Sequence, residues 1–145
     1  LRTMVEFTKV KKCSSKEFEL IKITDDVRRF AAQSKIKNGV VYVILAHTTA
    51  GIMVNESLPC LEKDIEATLE DLVPLHRNYA HSHFLPSYGA IGGNAPGHLK
   101  SMLVGNHCVI PLIDGELVMG MAQDVYLAEF DGVQQRTFFI EIIGE

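Results

Sequence analysis

Apolar residues recur along this chain at two spacings, every second position or every third to fourth, and the switches between them mark the elements. Residues 3–11 place Met4, Phe7 and Val10 among β-branched and charged neighbours, the pattern of a short, imperfectly alternating strand. Cys13-Ser14-Ser15-Lys16 reads as a turn, and Phe18, Leu20 and Ile23 begin a second strand, which predicts an opening hairpin. Thr24-Asp25-Asp26 offers N-cap oxygens, after which Val27, Phe30, Ala31 and Ser34 fall at helical spacing and Asn38-Gly39 supplies a left-handed stop. Residues 40–45 are nearly continuous apolar sequence, the pattern of a strand covered on both faces, and they deliver His47 to its end. Beyond Thr48-Thr49, residues 51–54 predict another strand, ending in Asn55-Glu56. Leu61, Ile65, Leu69 and Leu72 lie on one face of a second helix, which Pro74 ends because proline disfavours helix in the residue before it.

Residues 75–93 break the pattern. They hold His76, His81, His83, Pro86 and Tyr88 with glycines gathering at the end, and a loop near this length inside a compact domain tends to be functional or disordered. Asn94 can cap a helix over residues 95–104, with Pro96 in its first turn and Gly105 just past its end; His98 sits in that first turn. The remainder reads as β. Residues 109–113 and 116–121 flank Asp114-Gly115, which suits a type I′ hairpin turn; residues 124–130 and 136–143 form two further strands around Asp131-Gly132. The order ββ-α-ββ-α-loop-α-ββββ predicts a single α+β domain over residues 1–145, with about three helices and a large mixed or antiparallel sheet.

Composition changes the picture little. With 47% hydrophobic and 22% charged residues the chain is ordinary globular protein, and 145 residues need no disulfide staple. A formal charge of −4 argues against an obligate nucleic-acid binder. Cys13, Cys60 and Cys108 show no C-x-x-C spacing and read as buried small hydrophobes of a reduced protein. No apolar run approaches the roughly 20 residues of a membrane span and no charged-then-apolar leader opens the chain, so the expectation is a cytoplasmic domain without membrane contact.

The candidate chemistry lies in two polar clusters, residues 46–56 and 92–98, expected to meet in one site. His47, a histidine of the long loop, and His98 occupy a strand end, a loop and a helix start; three converging imidazoles are a recognised ligand set for zinc or another divalent ion. Their spacing matches no metal motif, and surface or hydrogen-bonded core histidines are the plain alternative. Gly92-Gly93-Asn94 feeds a helix N-terminus, where unpaired N–H groups favour an anion, and Lys100 can add charge. Walker A and Rossmann patterns are both missing. Asn55-Glu56 could place a carboxylate beside His47 as proton partner or orienting group. Glu129 and Asp131 bracket a turn and are assigned structural roles, as is His107.

Read together, several blocks are specific. His47-Thr48-Thr49-Ala50-Gly51-Ile52-Met53-Val54-Asn55-Glu56, then Gly93-Asn94-Ala95-Pro96-Gly97-His98-Leu99-Lys100-Ser101, then residues 113–120 and 126–132 follow one another in an order that resembles the YjbQ-like family, also named secondary thiamine-phosphate synthases. The resemblance implies a compact α+β sheet sandwich assembled as a homotrimer, with a pocket in which His47, His81 and His98 gather. It also implies a small-molecule transferase joining phosphorylated pyrimidine and thiazole precursors into thiamine phosphate. On this reading His47, Glu56, His81 and His98 are catalytic; Thr48, Asn55, Gly93, Asn94, Lys100 and Gln123 contact the substrate; and the three histidines are candidate ligands for zinc or magnesium. Two segments depart from the family pattern. Tyr79-Ala80-His81-Ser82 stands where Tyr-Arg-His-Asp/Asn is common, and Gly120-Met121-Ala122-Gln123-Asp124 where Gly-Thr-Trp-Gln-Gly is common. These losses leave two competing expectations, a metal-dependent hydrolase of a phosphorylated metabolite and a non-catalytic trimeric module that binds a small ligand.

Overall fold

A computed structural model describes residues 2–83 and 93–145. Along the chain its elements are β1 (Met4–Cys13), β2 (Glu19–Lys22), α1 (Thr24–Gln33), β3 (Gly39–Leu45), β4 (Ala50–Glu56), α2 (Pro59–Leu72), α3 (Ala80–His83), α4 (Ala95–Val104), β5 (His107–Ile113), β6 (Glu116–Leu117), β7 (Gln123–Glu129) and β8 (Gln135–Gly144). The strands form a five-stranded sheet in the order β1-β8-β3-β5-β6 and a three-stranded sheet in the order β2-β7-β4. Every pairing is antiparallel, so the expected α+β architecture holds with sheets of one kind. Residues 84–92 of the expected loop, Gly92 among them, lie outside the described residues, as does the side chain of His83.

The period-two pattern decides which side chains meet. Val41, Val43, Leu45, Ile110, Leu112, Phe138, Ile140 and Ile142 of the larger sheet face Ala50, Ile52, Val125 and Leu127 of the smaller one, with Val27 and Ala31 of α1 closing the layer. Each fully buried aliphatic side chain here contributes roughly 1.5–3 kcal/mol of transfer free energy. On the other side of the smaller sheet, Ala128 and Phe130 pack with Leu69 and Ile65 of α2 and with Val104 of α4. Tyr126 also points that way, and its hydroxyl donates to Glu62 Oε2 at 2.8 Å, tying β7 to α2.

Several sequence expectations require correction. The opening hairpin does not form: β1 pairs with β8 while β2 pairs with β7 in the other sheet. The turn between them is diverted because Ser14 is buried, with its hydroxyl bound to Glu129 Oε1 at 2.8 Å and its N–H to Gln134 O at 2.9 Å. Helix α1 stops at Gln33 rather than at Asn38-Gly39; Ser34 is extended and its Oγ accepts from Ile36 N at 2.9 Å, turning fully buried Ile36 into the core. Thr24 lies inside α1 and caps nothing; its hydroxyl bridges Asp124 Oδ1 and Val125 N. The type I′ turn at Asp114-Gly115 is present, both residues having positive φ, but the strand after it is only Glu116–Leu117. Cys13 and Cys60 are exposed; Cys108 alone is half-buried, and burial pushes its thiol up to about 11.

Strand β3 is covered on one face only. Val40, Tyr42 and Ile44 are half-buried and point outward. Cross-strand partners share a face, so register sets Val5, Ile143, Val40 and Pro111 in one outer row and Phe7, Glu141, Tyr42 and Val109 in the next. Val5 is 60% exposed, and Phe7 and Val109 52% each. The outer face of the larger sheet is therefore largely apolar.

Candidate functional site

The site is built on two opposite charges at inward positions. Glu129 ends β7 on the same face as Val125 and Leu127 and is fully buried; Arg136 opens β8 on the face of Phe138 and Ile140 and is 5% exposed. A buried carboxylate is tolerated when paired and saturated with hydrogen bonds. Arg136 grips Glu129 with two donors, Nε to Oε1 at 2.9 Å and Nη2 to Oε2 at 2.5 Å. Ser14 Oγ and the N–H of Asp131 complete the carboxylate, the latter at 3.0 Å from Oε2. Nη2 also donates to Thr49 Oγ1 at 2.8 Å and to Thr49 O at 3.2 Å, fixing the chain just ahead of β4. Among the described residues no buried side-chain polar atom lacks a partner.

His47 leans on this pair. Thr137 N donates to its Nε2 at 3.0 Å, and Arg136 Nη1 lies 3.4 Å from its Nδ1. Donors thus face both ring nitrogens, leaving no acceptor for a second ring proton. Burial, followed by the Arg136 charge, lowers the His47 pKa from the usual 6.5, with Glu129 acting weakly in the opposite sense. His47 is a neutral imidazole near pH 7.

Helix α4 carries the second cluster to the same place. Gly97 allows the approach: a Cβ there would lie 3.1 Å from Phe130 O and 3.4 Å from side-chain carbons of Asp131 and Thr49. Ser101 Oγ fastens the helix to Ala50 O at 2.6 Å. His98 then lines an open hollow of about 410 Å³ with His47, Thr48, Ser101, Met102 and Asn106. On its other side His98 meets His81 edge to face, ring centroids 5.2 Å apart, and the two line a second hollow of about 380 Å³ with Tyr79, Ala80, Ala95 and Leu99. His98 is the common wall of the two hollows.

Asn94 does not cap α4 with its side chain. The Asn94 Oδ1 stands 2.7 Å from His81 Nε2, and Nδ2 donates to Asp131 Oδ2 at 3.4 Å. Gly93 takes a φ of +85°, which favours glycine. Gly93, Asn94, Gly97 and Lys100 line a third cleft, of about 290 Å³, together with Glu17, Glu66, Glu70 and Asp131. Buried Lys100 is ion-paired with Glu70. The helix start foreseen for an anion therefore opens onto carboxylates, and the lysine beside it already has a counter-charge.

Other predicted site residues are not brought together with His47. Asn55, Glu56 and Gln123 sit at the opposite end of the β4–β7 ladder, where Glu56 pairs with Gln123. At about 3.3 Å per residue, the six steps from Ala50 to Glu56 span roughly 20 Å. The expected placement of Glu56 beside His47 is thus corrected within one chain: Glu56 is exposed, and its N–H is taken by Asn55 Oδ1 at 2.8 Å. Gln123 closes its own turn, accepting from Gly120 N at 2.9 Å.

Among the described residues no group of three or more His, Cys, Asp and Glu side chains is arranged to hold a metal ion. The chemistry of the donors agrees. His47 gives its Nε2 lone pair to Thr137 and turns Nδ1 toward a guanidinium, so the three-histidine set, as arranged, does not fit a cation. Arg136 was the residue missed in the sequence, and Glu129 was read as structural. The available signal was parity, since Glu129 follows Val125 and Leu127, and Arg136 precedes Phe138, Ile140 and Ile142, on the inward-facing alternate positions of their strands.

Two packed antiparallel sheets, with α1 closing the layer between them and α2 and α4 on the outer side of the smaller sheet, define an α+β sandwich whose histidines gather along two adjoining hollows where α4 meets the start of β4. The chain belongs to the YjbQ/UPF0047 family: the family described as UPF0047 protein YjbQ-like matches residues 8–145. The UPF0047 protein MJ1081 of Methanocaldococcus jannaschii is 36% identical over 133 residues, covering 91% of this chain and 90% of its own. The UPF0047 protein YugU of Bacillus subtilis is 33% identical and covers 90% of this chain and 94% of its own. The crystal structure of a YbjQ-like protein of unknown function from Sulfolobus solfataricus P2 superposes with a TM-score of 0.92 at 33% identity, over 99% of this chain and all of that one.

Proposed function

We propose that the two hollows around His98 form one small-molecule site and that the protein is a transferase of the secondary thiamine-phosphate synthase type, acting on phosphorylated pyrimidine and thiazole precursors. The observation that carries this reading is the edge-to-face contact of His81 and His98, with His98 shared by the hollow of His47. Two imidazoles in a hollow that carries no charged side chain among its described lining residues can exchange a proton with a leaving group. His47, held neutral, would shape the ring pocket and not act as the acid. The test is to incubate pure protein with both phosphorylated halves and assay for thiamine phosphate, with and without magnesium or zinc. Product lost in His98→Ala supports the reading; no product from folded wild type under any of these conditions overturns it.

A second reading, a binding module without catalysis, is favoured by the pairing of Lys100 with Glu70 in a cleft of four carboxylates. A ligand at 100 times its Kd stabilises the fold by about 2.7 kcal/mol, so a thermal-shift hit never turned over would select it. The hydrolase reading is weaker, because it needs a metal-bound water and His47 is not free to ligate. We also propose the homotrimer implied by the sequence resemblance, formed through the apolar outer face of the larger sheet. Sedimentation should give a trimer for wild type and a smaller species for Phe7→Lys with Val109→Lys; a wild-type monomer would overturn it.

A further inference from the structure

We infer that Asp131 is a positioning residue that sets the tautomer of His81 through the amide of Asn94, so that His81 carries its proton on Nε2 and its lone pair on Nδ1. A carboxylate has only lone pairs to offer, so the Asn94 atom that faces Asp131 Oδ2 is the NH2 group, at 3.4 Å. The amide is thereby oriented, and its carbonyl oxygen Oδ1 is turned to His81 Nε2 at 2.7 Å. An amide oxygen only accepts, so Nε2 must be the ring nitrogen that bears hydrogen. The opposite amide orientation would set two oxygens against each other at Asp131.

Asp131 is itself held. Its N–H is bound to Glu129 Oε2 at 3.0 Å, and its Cβ lies under Gly97 of α4. The buried pair of Glu129 and Arg136 therefore reaches both histidines by separate routes. Arg136 stands against the Nδ1 side of His47 while the main chain of Thr137 takes Nε2, and Glu129 anchors the turn whose carboxylate sets His81. The two rings end in opposite states: His47 has its Nε2 lone pair occupied, and His81 has Nε2 protonated. Nδ1 of His81 is then a nitrogen with a lone pair, fitted to accept from an N–H or O–H group of a ligand or to take up a proton. The use of that nitrogen rests on the proposed small-molecule site; the tautomer itself does not.

The experiment is long-range proton–nitrogen NMR of the histidine side chains in the full chain, in alkaline buffer where the rings are neutral. Wild-type His81 should show the Nε2–H tautomer in about tenfold or greater excess, the ratio one net hydrogen bond supports. In Asp131→Asn the neighbour can donate as well as accept, the Asn94 amide is free to turn, and the Nδ1–H fraction should rise several-fold. The exchange variant N94D/D131N restores an acceptor-only group against His81 and should return the ring to Nε2–H, a rescue that general loosening would not give. Should Asp131→Asn fail to fold, Asn94→Leu removes the same link and should also raise the Nδ1–H fraction. A wild-type ring protonated on Nδ1, or a ratio unmoved in folded Asp131→Asn and Asn94→Leu, would overturn the inference. Loss of thiamine-phosphate synthesis with the tautomers as expected would count against the proposed reaction alone.

Discussion

The two ends of the β4–β7 ladder are made from similar residue types and could hardly differ more. At one end Ala50 pairs with Glu129, and behind that rung lie a buried ion pair, a buried serine and threonine, and a histidine kept neutral. At the other end Glu56 pairs with Gln123; the Glu56 N–H is bound by the Asn55 side chain next to it, and the Gln123 side chain accepts from Gly120, three residues away. A carboxylate at the first end orders several distant segments. The side-chain amides of Asn55 and Gln123 at the second end order only their own turns. Polarity in a sequence therefore marks a site only when the fold takes it out of water and makes it depend on remote partners.

The sharpest way to break this contrast is to remove one charge. Arg136→Met leaves Glu129 buried and unpaired and should cost about 3–5 kcal/mol, measured by urea denaturation. A cost below about 1 kcal/mol would show that water reaches the carboxylate and that the two ends are less different than described. A pH series sharpens the same end. The His47 pKa is lowered in the folded state, so the unfolded chain binds that proton more tightly. The contribution of His47 to stability is full above its unfolded value of 6.5 and is lost as pH falls below it toward the folded pKa. His47→Gln should remove that share of the acid-side slope, compared as urea midpoints; an unchanged slope would mean that His47 protonates freely in the fold.

Between the ends, Tyr126→Phe deletes the hydroxyl that Glu62 accepts from, in a side chain whose pKa burial pushes up to about 12. The expected loss is about 1 kcal/mol in chemical denaturation. At the exposed end, Gln123→Ala should shift stability by no more than about 0.5 kcal/mol. If Gln123→Ala proved as costly as Arg136→Met, the comparison would fail.

Much of the fold was legible because its elements are short-range statements. Asp-Gly forced the turn before β6, and Pro74 marked the end of α2. The opening hairpin was misread because nothing in residues 3–23 says that Ser14 will be claimed by a glutamate 115 positions later. The site was legible in part. His47, His81 and His98 do gather along two adjoining hollows. Glu56 was misplaced because adjacency in sequence was taken for adjacency in space, whereas a strand carries consecutive residues steadily apart. Arg136 escaped notice because one arginine at the start of an apolar run resembles a solvated flank until its parity is compared with that of Glu129.

The bond from Thr137 N–H to His47 Nε2 has one more consequence. Leu45 opposite Phe138 is the last rung between β3 and β8, and beyond it the imidazole stands where a further strand residue would have accepted. The exchange rate of that single amide with solvent deuterium is thus coupled to the state of one side chain. Any ligand that draws His47 away, or any proton that displaces the bond, should unmask Thr137 while Phe138 and Ile140 stay protected, which makes this backbone position a native probe of site occupancy needing no label.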